Sequence, residues 1–397
     1  MTADPLLVFR GEFPILERTT YLVSNSLGAM PRGVPDRLAE YVDAWAEWGV
    51  RAWARGWWEM PVTAGDAIAP LIGASRGEVA MVPNVSLAHA AVVSALDFPP
   101  GRDTIVMTAL DFPSVRYTVE SLGRRLGARI VVVPSDDGIG IDEERLAAAI
   151  DERTRLVAIS HVLFRSAYIV DVARVCRRAH AMGALVALDA FHSVGIMPVD
   201  VRAIDTDFLI GGVLKWLCGG PGGCFLYSSP AVRERYTPAV TGWQAHARPF
   251  AFEEEMDPAA GAFRWLSGTP AIPALYAAIE GPRIVSRAGI DRIREKSVRQ
   301  TMQLIESADA RGYTVRAPRS TERRGGTVAI DVPEAEAVSR DLLSRDILVD
   351  YRPNAGIRIA PHFYTADAEI EAAMDAIADS LETGRWREFA GSASVVT

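Results

Sequence analysis

Between residues 104 and 228 the chain alternates short β-branched or apolar runs with helix-like segments, and this alternation limits the fold more than any other feature. Strands are expected at 104–107, 129–133, 156–160, 185–189, 207–211 and 224–227, with helices at 114–126, 142–150 and 172–182. Strands that alternate with helices wind into a mostly parallel sheet covered on both faces, so the fold class is α/β. Before this core, residues 34–58 read as one long helix-like segment bearing Trp45, Trp48, Trp53, Trp57 and Trp58, a cluster suited to core or subunit interface. Residues 79–96 read as a buried loop and helix. After Gly281-Pro282 the pattern changes to a long charged helix ending near 310, strands at 326–331, 347–351 and 356–359, and a last helix at 367–381. The expected division is an N-terminal segment 1–60, a large domain 61–285, a smaller C-terminal α+β domain 286–390 and a flexible tail 391–397.

Composition narrows the function. A chain of 397 residues with 49% hydrophobic content can bury a large core. The formal charge is -8, and no basic stripe is interleaved with aromatics, which argues against a nucleic-acid partner. The longest uncharged stretch, 79–96, contains Pro83, Asn84, Ser86, His89 and Ser94 and is too polar for a membrane span. Cys176, Cys218 and Cys224 form neither a disulfide framework nor a CxxC pair, and Asp4, Arg10 and Glu12 interrupt any signal-peptide pattern, so a cytoplasmic location is expected. The six histidines show no metal-ligand spacing, so no metal is expected, and His161, His180 and His246 read as structural or local polar residues.

Lysine is used twice, at 215 and 296, against forty arginines. Lys296 lies in the charged run Asp291-Arg292-Ile293-Arg294-Glu295-Lys296 and reads as part of a solvated helix face. Lys215 lies in Gly211-Gly212-Val213-Leu214-Lys215-Trp216-Leu217-Cys218-Gly219-Gly220, an apolar and glycine-rich setting. A lysine near a strand end ordinarily snorkels its amine to water. In apolar surroundings it can instead lose its proton and form a Schiff base, which arginine cannot do. Ligands of open α/β sheets bind beyond the carboxyl ends of the strands. The residues there are Asp111-Phe112-Pro113-Ser114, Ser160-His161, Asp189-Ala190-Phe191-His192 and Lys215. An amine, an acid, a histidine and an aromatic on one rim suit pyridoxal 5'-phosphate, whose ring needs a Schiff-base partner, a carboxylate at the pyridine nitrogen and a flat face. Asp189 also reads as a helix N-cap taken alone. Val85 and Ser86, at the start of a helical run, are candidates for a phosphate seat.

Seven ordered segments carry a family resemblance: 21–28 (Tyr-Leu-Val-Ser-Asn-Ser-Leu-Gly), 111–114, 189–195, Lys215 with Gly219-Gly220-Pro221-Gly222, Thr241-Gly242-Trp243, Ser267-Gly268-Thr269-Pro270 and 356–361. The chain resembles kynureninase and, more broadly, the class V aminotransferase group of fold-type I pyridoxal phosphate enzymes. The resemblance implies a large domain with a mixed, mostly parallel sheet and a smaller C-terminal domain. It implies that Lys215 forms the internal Schiff base, Asp189 pairs with the pyridine nitrogen, His192 lies beside the ring and Phe112 stacks on it. Val85, Ser86 and Ser114 would contribute to cofactor binding, with Trp243 and Thr269 reaching the phosphate region partly from a neighbouring subunit, so a homodimer with shared sites is implied. Arg358 would clamp the substrate carboxylate, and Asn25 and Ser26 would line the substrate entrance.

Two departures bear on the reaction. Kynureninases carry a tyrosine before the lysine and an aspartate after Phe-Pro-Ser, where this chain has Leu214 and Val115. Hydrolytic cleavage needs acid and base help that these apolar residues lack. β-Elimination or a related side-chain cleavage, such as carbon-sulfur lysis, is therefore the leading expectation for the amino-acid or conjugate substrate. Decarboxylation coupled to oxidative deamination in natural-product tailoring, transamination and true kynureninase hydrolysis follow in that order, and a cofactor-binding scaffold without turnover is the non-enzyme alternative.

Overall fold

A computed structural model describes residues 4–391, so nearly all of the expected tail lies outside the described residues. Seven strands form the central sheet, in the spatial order Val79–Val82, Cys224–Ser228, Phe208–Gly212, Leu185–Asp189, Thr154–Ser160, Thr104–Thr108 and Arg129–Val133. The last five are mutually parallel, and Cys224–Ser228 runs against both of its neighbours. Its reversal follows a tight turn in which Gly220 and Gly222 take φ of 72° and 94°, a region glycine enters without steric cost. Alternate side chains serve opposite faces. In Leu185–Asp189, Val186 and Leu188 join one core cluster with Ile196 and Trp216, whereas Ala187 joins the other with Phe208 and Trp265. Burial on both faces explains why these runs are almost continuously apolar.

The smaller sheet has the order Asp350–Arg352, Gly356–Ile359, Val328–Asp331, Thr314–Val315 and is antiparallel throughout. Residues from the helices Ile290–Ala310, Ala335–Ser344 and Asp367–Thr383 close a third core cluster over it. The N-terminal stretch reaches this sheet's neighbourhood. Thr20–Tyr21 pairs in parallel with Ile347–Leu348, and Val23 bridges to Ala360.

Several sequence expectations change. The segment 34–58 is not one helix: Val34–Trp48 stops where Gly49 turns to φ 53°, and a 3-10 segment, Gly49–Arg55, follows. The tryptophan cluster splits, with Trp57 buried and stacked on Tyr41 at 5.4 Å while Trp45 is 60% exposed. Gly289, at φ 85°, divides the charged helix into Glu280–Ala288 and Ile290–Ala310. Val79–Val82, read as loop, is an edge strand; four buried residues show no period from which to assign it. Lys296 is not solvated. Its ammonium is buried, 2.8 Å from Asp4 and donating to the Phe363 carbonyl at 2.7 Å, because the N-terminal segment covers that helix face. Among the described residues no helix is long and apolar enough to cross a membrane.

Candidate active site

The strands Val79–Val82, Thr104–Thr108, Thr154–Ser160, Leu185–Asp189 and Phe208–Gly212 end on one edge, and a cavity of about 230 Å³ lies there. Its wall includes Asn84, Val85, Phe112, Asp189, His192 and Lys215. Phe112 is placed by the buried Asp111, which accepts the N–H groups of Thr108 and Ser160, each at 2.7 Å, and so fixes the turn before the helix Pro113–Arg125. Asp189 ends its strand with Oδ1 accepting the Phe191 N–H at 2.8 Å. Lys215 follows the strand Phe208–Gly212 and stands half-buried on the cavity wall.

The Lys215 Nζ lies 2.7 Å from His192 Nε2, 5.4 Å from the Phe112 ring centroid and 4.6 Å from that of Phe191. Burial pushes the lysine ammonium down to about 7; Arg358 acts in the same direction and Asp189 opposes it. Burial pushes the Asp189 carboxyl upward, against the Phe191 N–H and the lysine charge. His192 is held well below its ordinary value by burial first, then by Lys215, Arg358 and Arg352, so its ring is neutral near pH 7. A neutral imidazole offers one lone pair, which the lysine meets.

The helix Val85–Ser94 opens onto the cavity. Its cap Asn84 accepts the Leu87 N–H through the side chain at 3.0 Å and the Ala88 N–H through the backbone at 3.1 Å. The N–H groups of Val85 and Ser86 have no partner among the described residues, which makes an anion seat. Arg358, only 2% exposed, lies opposite Asp350 in the strand register and is held by it through Nε at 2.8 Å and through Nη2. Its Nη1 donates to the Phe164 carbonyl at 2.6 Å, and the Phe164 ring meets Phe112 edge-on at 5.2 Å. Arg352 reaches the same carboxylate at 3.1 Å.

Lys215, Asp189, His192, Phe112 and Val85 are thus brought together, with Arg358 close enough to act on the charge of Lys215 and His192. Ser86 and Ser114 sit beside the cavity in the first turns of their helices. Asn25 is sealed, with both amide atoms unpartnered, and Ser26 is half-buried; neither joins the wall. Trp243 is 41% exposed, packed on Trp58 and Phe250, and Thr269 is exposed, so one chain does not deliver them to the cavity. The sequence reading missed Phe191 and Asp350. Phe191 stood inside a quoted motif, but only its distance to the amine singles it out, and Asp350 needed the strand register. His180 and His246 have local partners, Asp207 at 2.9 Å and the Glu255 carbonyl at 3.1 Å. Among the described residues no group of three or more metal-ligating side chains gathers.

This arrangement sits on a fold shared with fold-type I pyridoxal phosphate enzymes. The chain belongs to the aminotransferase class V family, whose pattern it matches over residues 20–349. A kynureninase of Burkholderia pseudomallei is 31% identical over 412 aligned residues, covering 99% of this chain and 97% of that protein. A kynureninase of Shouchella clausii is 31% identical over 99% of this chain and 95% of its own length. Among solved structures, the apo cysteine desulfurase of Thermococcus onnurineus NA1 superimposes with a TM-score of 0.84 at 22% identity, over 97% of this chain and 99% of that one. The cystine C-S lyase C-DES, in complex with cysteine persulfide, gives 0.83 at 20% identity, over 92% and 99%.

Proposed function

We propose that this chain is a pyridoxal 5'-phosphate enzyme that cleaves the side chain of an α-amino acid or amino-acid conjugate by β-elimination, with carbon-sulfur lysis as the leading case. The observation that carries the reading is the Lys215 amine, driven toward its neutral form in an aromatic cavity beside His192 and Asp189. The residues fit the cofactor. Apart from the Phe191 N–H, no hydrogen bond reaches the Asp189 carboxylate among the described residues, and burial without a cation is unfavourable for it, which suits a pyridinium partner. The free N–H groups of Val85 and Ser86 suit the phosphate. When bound, the cofactor supplies an electron sink for the bond that breaks.

The residues of the chain supply the rest. Asp189 would keep the ring nitrogen protonated, Phe112 would offer the ring a flat face, and Lys215 would hold the cofactor through its aldehyde. Arg358 has five N–H donors; two go to Asp350 and one to Phe164, leaving one on each Nη. Those two match a substrate carboxylate end-on, while Asp350 grips the guanidinium from the side. The Lys215 amine, brought toward its neutral form by burial, would take the α-proton. The Cβ–S bond would break with its electron pair going to sulfur, the proton taken by Lys215 would be returned to the departing thiolate, and water would convert the three-carbon remainder to pyruvate and ammonia.

The choice of elimination rests on Leu214, which lines the cavity, and Val115, which is buried in an apolar cluster, so neither provides an acid or base for water attack. The similarity to kynureninases favours, as a second reading, hydrolysis of kynurenine. The exposure of Trp243 and Thr269 supports a homodimer in which these residues serve the neighbouring site. The same reading keeps a large cofactor-binding unit over 61–285, a smaller one over 286–390 and a cytoplasmic location. Mass spectrometry of the loaded enzyme incubated with amino acids, S-conjugates and kynurenine tests the reaction. Pyruvate with a thiol is expected; efficient formation of anthranilate from kynurenine would overturn it.

A further inference from the structure

We propose that His362 is a positioning residue for Lys215: its imidazole ties the carbonyl of Trp216, the residue after the lysine, to the segment that follows the Arg358 strand, and so fixes where the amine stands. This rests on the pyridoxal phosphate reading above. His362 Nε2 lies 2.8 Å from the Trp216 carbonyl oxygen, and both residues are only 1% exposed. A carbonyl can only accept, so Nε2 carries the proton and donates it. Burial pushes the imidazole down to about 3, against the Trp216 carbonyl and with the nearby Lys296 charge, so the ring is neutral and has one N–H. Nδ1 is then a bare lone pair, buried and without a partner among the described residues. The single donor of this ring is spent on the lysine loop.

That loop has little else to hold it at this point. Trp216 belongs to no helix or strand, and its carbonyl receives no backbone N–H among the described residues; besides His362 it meets only the Cys218 thiol, at 4.0 Å. The bend is tight. The Lys215 carbonyl accepts the Cys218 N–H at 3.0 Å, and Cys218 takes φ 52°, a left-handed conformation unfavourable for a residue with a side chain. Such a bend persists where its surroundings fix it. The other end of the tie is rigid: the His362 N–H donates to Thr365 Oγ1 at 3.0 Å, the Phe363 carbonyl is held by the buried Lys296, and the imidazole is wedged against the rings of Trp216, Phe363 and Tyr364 at 5.3, 4.5 and 5.2 Å. Without this donor the buried 216 carbonyl must turn to find another, and the preceding residue, whose amine stands 2.7 Å from His192, turns with it.

The test separates the amine from the seat around it. Pyridoxal 5'-phosphate is added to the stripped protein, and the rate at which a borohydride-fixed label appears at Lys215 is followed by peptide mapping. In parallel, the affinity for an analogue with a methyl group in place of the aldehyde is titrated, since it needs the seat and not the amine. A misplacement of about 1 Å can slow a reaction about 10²-fold, so His362→Phe, which fills the volume without a donor, should capture the aldehyde about 10- to 100-fold more slowly while analogue affinity stays within about twofold. His362→Gln places an amide N–H near the position of Nε2 and should recover most of the rate; His362→Asn, one bond shorter, should not. Melting of the stripped variants checks their folding, and if His362→Phe does not fold, the contrast between glutamine and asparagine decides alone. Unaltered capture in His362→Phe, a parallel fall in rate and analogue affinity, or equal rates in the glutamine and asparagine variants overturns this inference and leaves the cofactor reading intact. Absence of label at Lys215 in the unaltered protein refutes the cofactor reading itself.

Discussion

Replacing Asp350 with asparagine removes the carboxylate that holds Arg358, and the structure sets the size of the effect. The Arg358 guanidinium is only 2% exposed and cannot turn to water, so the change leaves it with the Phe164 carbonyl, one amide oxygen and the charge of Arg352 nearby. Arg352 is different: with 29% of its side chain exposed, it can be rehydrated. Breaking one partner of a buried pair costs about 3–5 kcal/mol. Asparagine keeps an acceptor, so Asp350→Asn belongs near about 3 kcal/mol and Asp350→Ala near the upper end of the same range. Denaturant unfolding measures this as a lower midpoint at constant slope. The pair Asp350→Leu with Arg358→Met should recover most of the loss, because neither charge then has to be buried. Binding supplies a second readout. A substrate amino acid should bind Asp350→Asn about tenfold more weakly, the size of one lost charge-assisted hydrogen bond, while the corresponding amino-acid amide, lacking the carboxylate, binds as before. A stability loss below about 1 kcal/mol, or equal weakening for acid and amide, would refute the assignment of Asp350 as the group that presents Arg358.

Other expectations are more direct. Lys215→Arg keeps a cation but cannot bond to an aldehyde, so borohydride should fix no cofactor to position 215 and turnover should fall by at least about 10²–10⁴-fold. The amine must be neutral to attack the aldehyde, so the rate of cofactor loading should rise with pH and level off above about 7. Because the folded value lies below the unfolded one, the cofactor-free protein carries the full burial penalty of this ammonium below about 7 and sheds it as pH rises toward the ordinary lysine value; a melting temperature that falls over that window would contradict the assignment. Asp189→Asn removes the anion facing the ring nitrogen, and the absorbance of the bound cofactor should shift while Lys215 still takes the borohydride label; an unchanged spectrum would place the ring nitrogen elsewhere. Leu214→Tyr with Val115→Asp should raise anthranilate formation from kynurenine and lower thiol release, as measured by product analysis; no change in that ratio would show that these positions do not select the reaction.

Much of the rim was legible because parallel strands all end on the same edge, and a residue that closes an apolar run is marked by sequence alone. Lys215, Asp189, His192 and Phe112 were found that way. The resemblance added Arg358, but not its partner, because the cross-strand pairing of positions 350 and 358 depends on a turn at 353–355 that no apolar period encodes. Lys296 was misread for a related reason: the charged run gives the helix, while burial depends on Asp4, almost three hundred positions away. Helix ends at Gly49 and Gly289 were missed because an isolated glycine inside a helical pattern can be tolerated there as well as end the helix. The roles of Trp243 and Thr269 stay unread from one chain, since their neighbours in it are not the cavity.

The first part of the chain has a consequence out of proportion to its contacts. Leu22 accepts the Ala360 N–H at 2.7 Å, and six residues later the Gly28 N–H donates to the Leu214 carbonyl at 2.7 Å. One short peptide is therefore sutured on one side to the strand that carries the guanidinium and on the other to the loop that carries the amine. It acts as a calliper. On the proposed roles of Arg358 and Lys215, residues 22–28 set the distance from the carboxylate clamp to the α-carbon, a spacing every α-amino acid shares, so substitutions that loosen either hydrogen bond would slow all substrates alike.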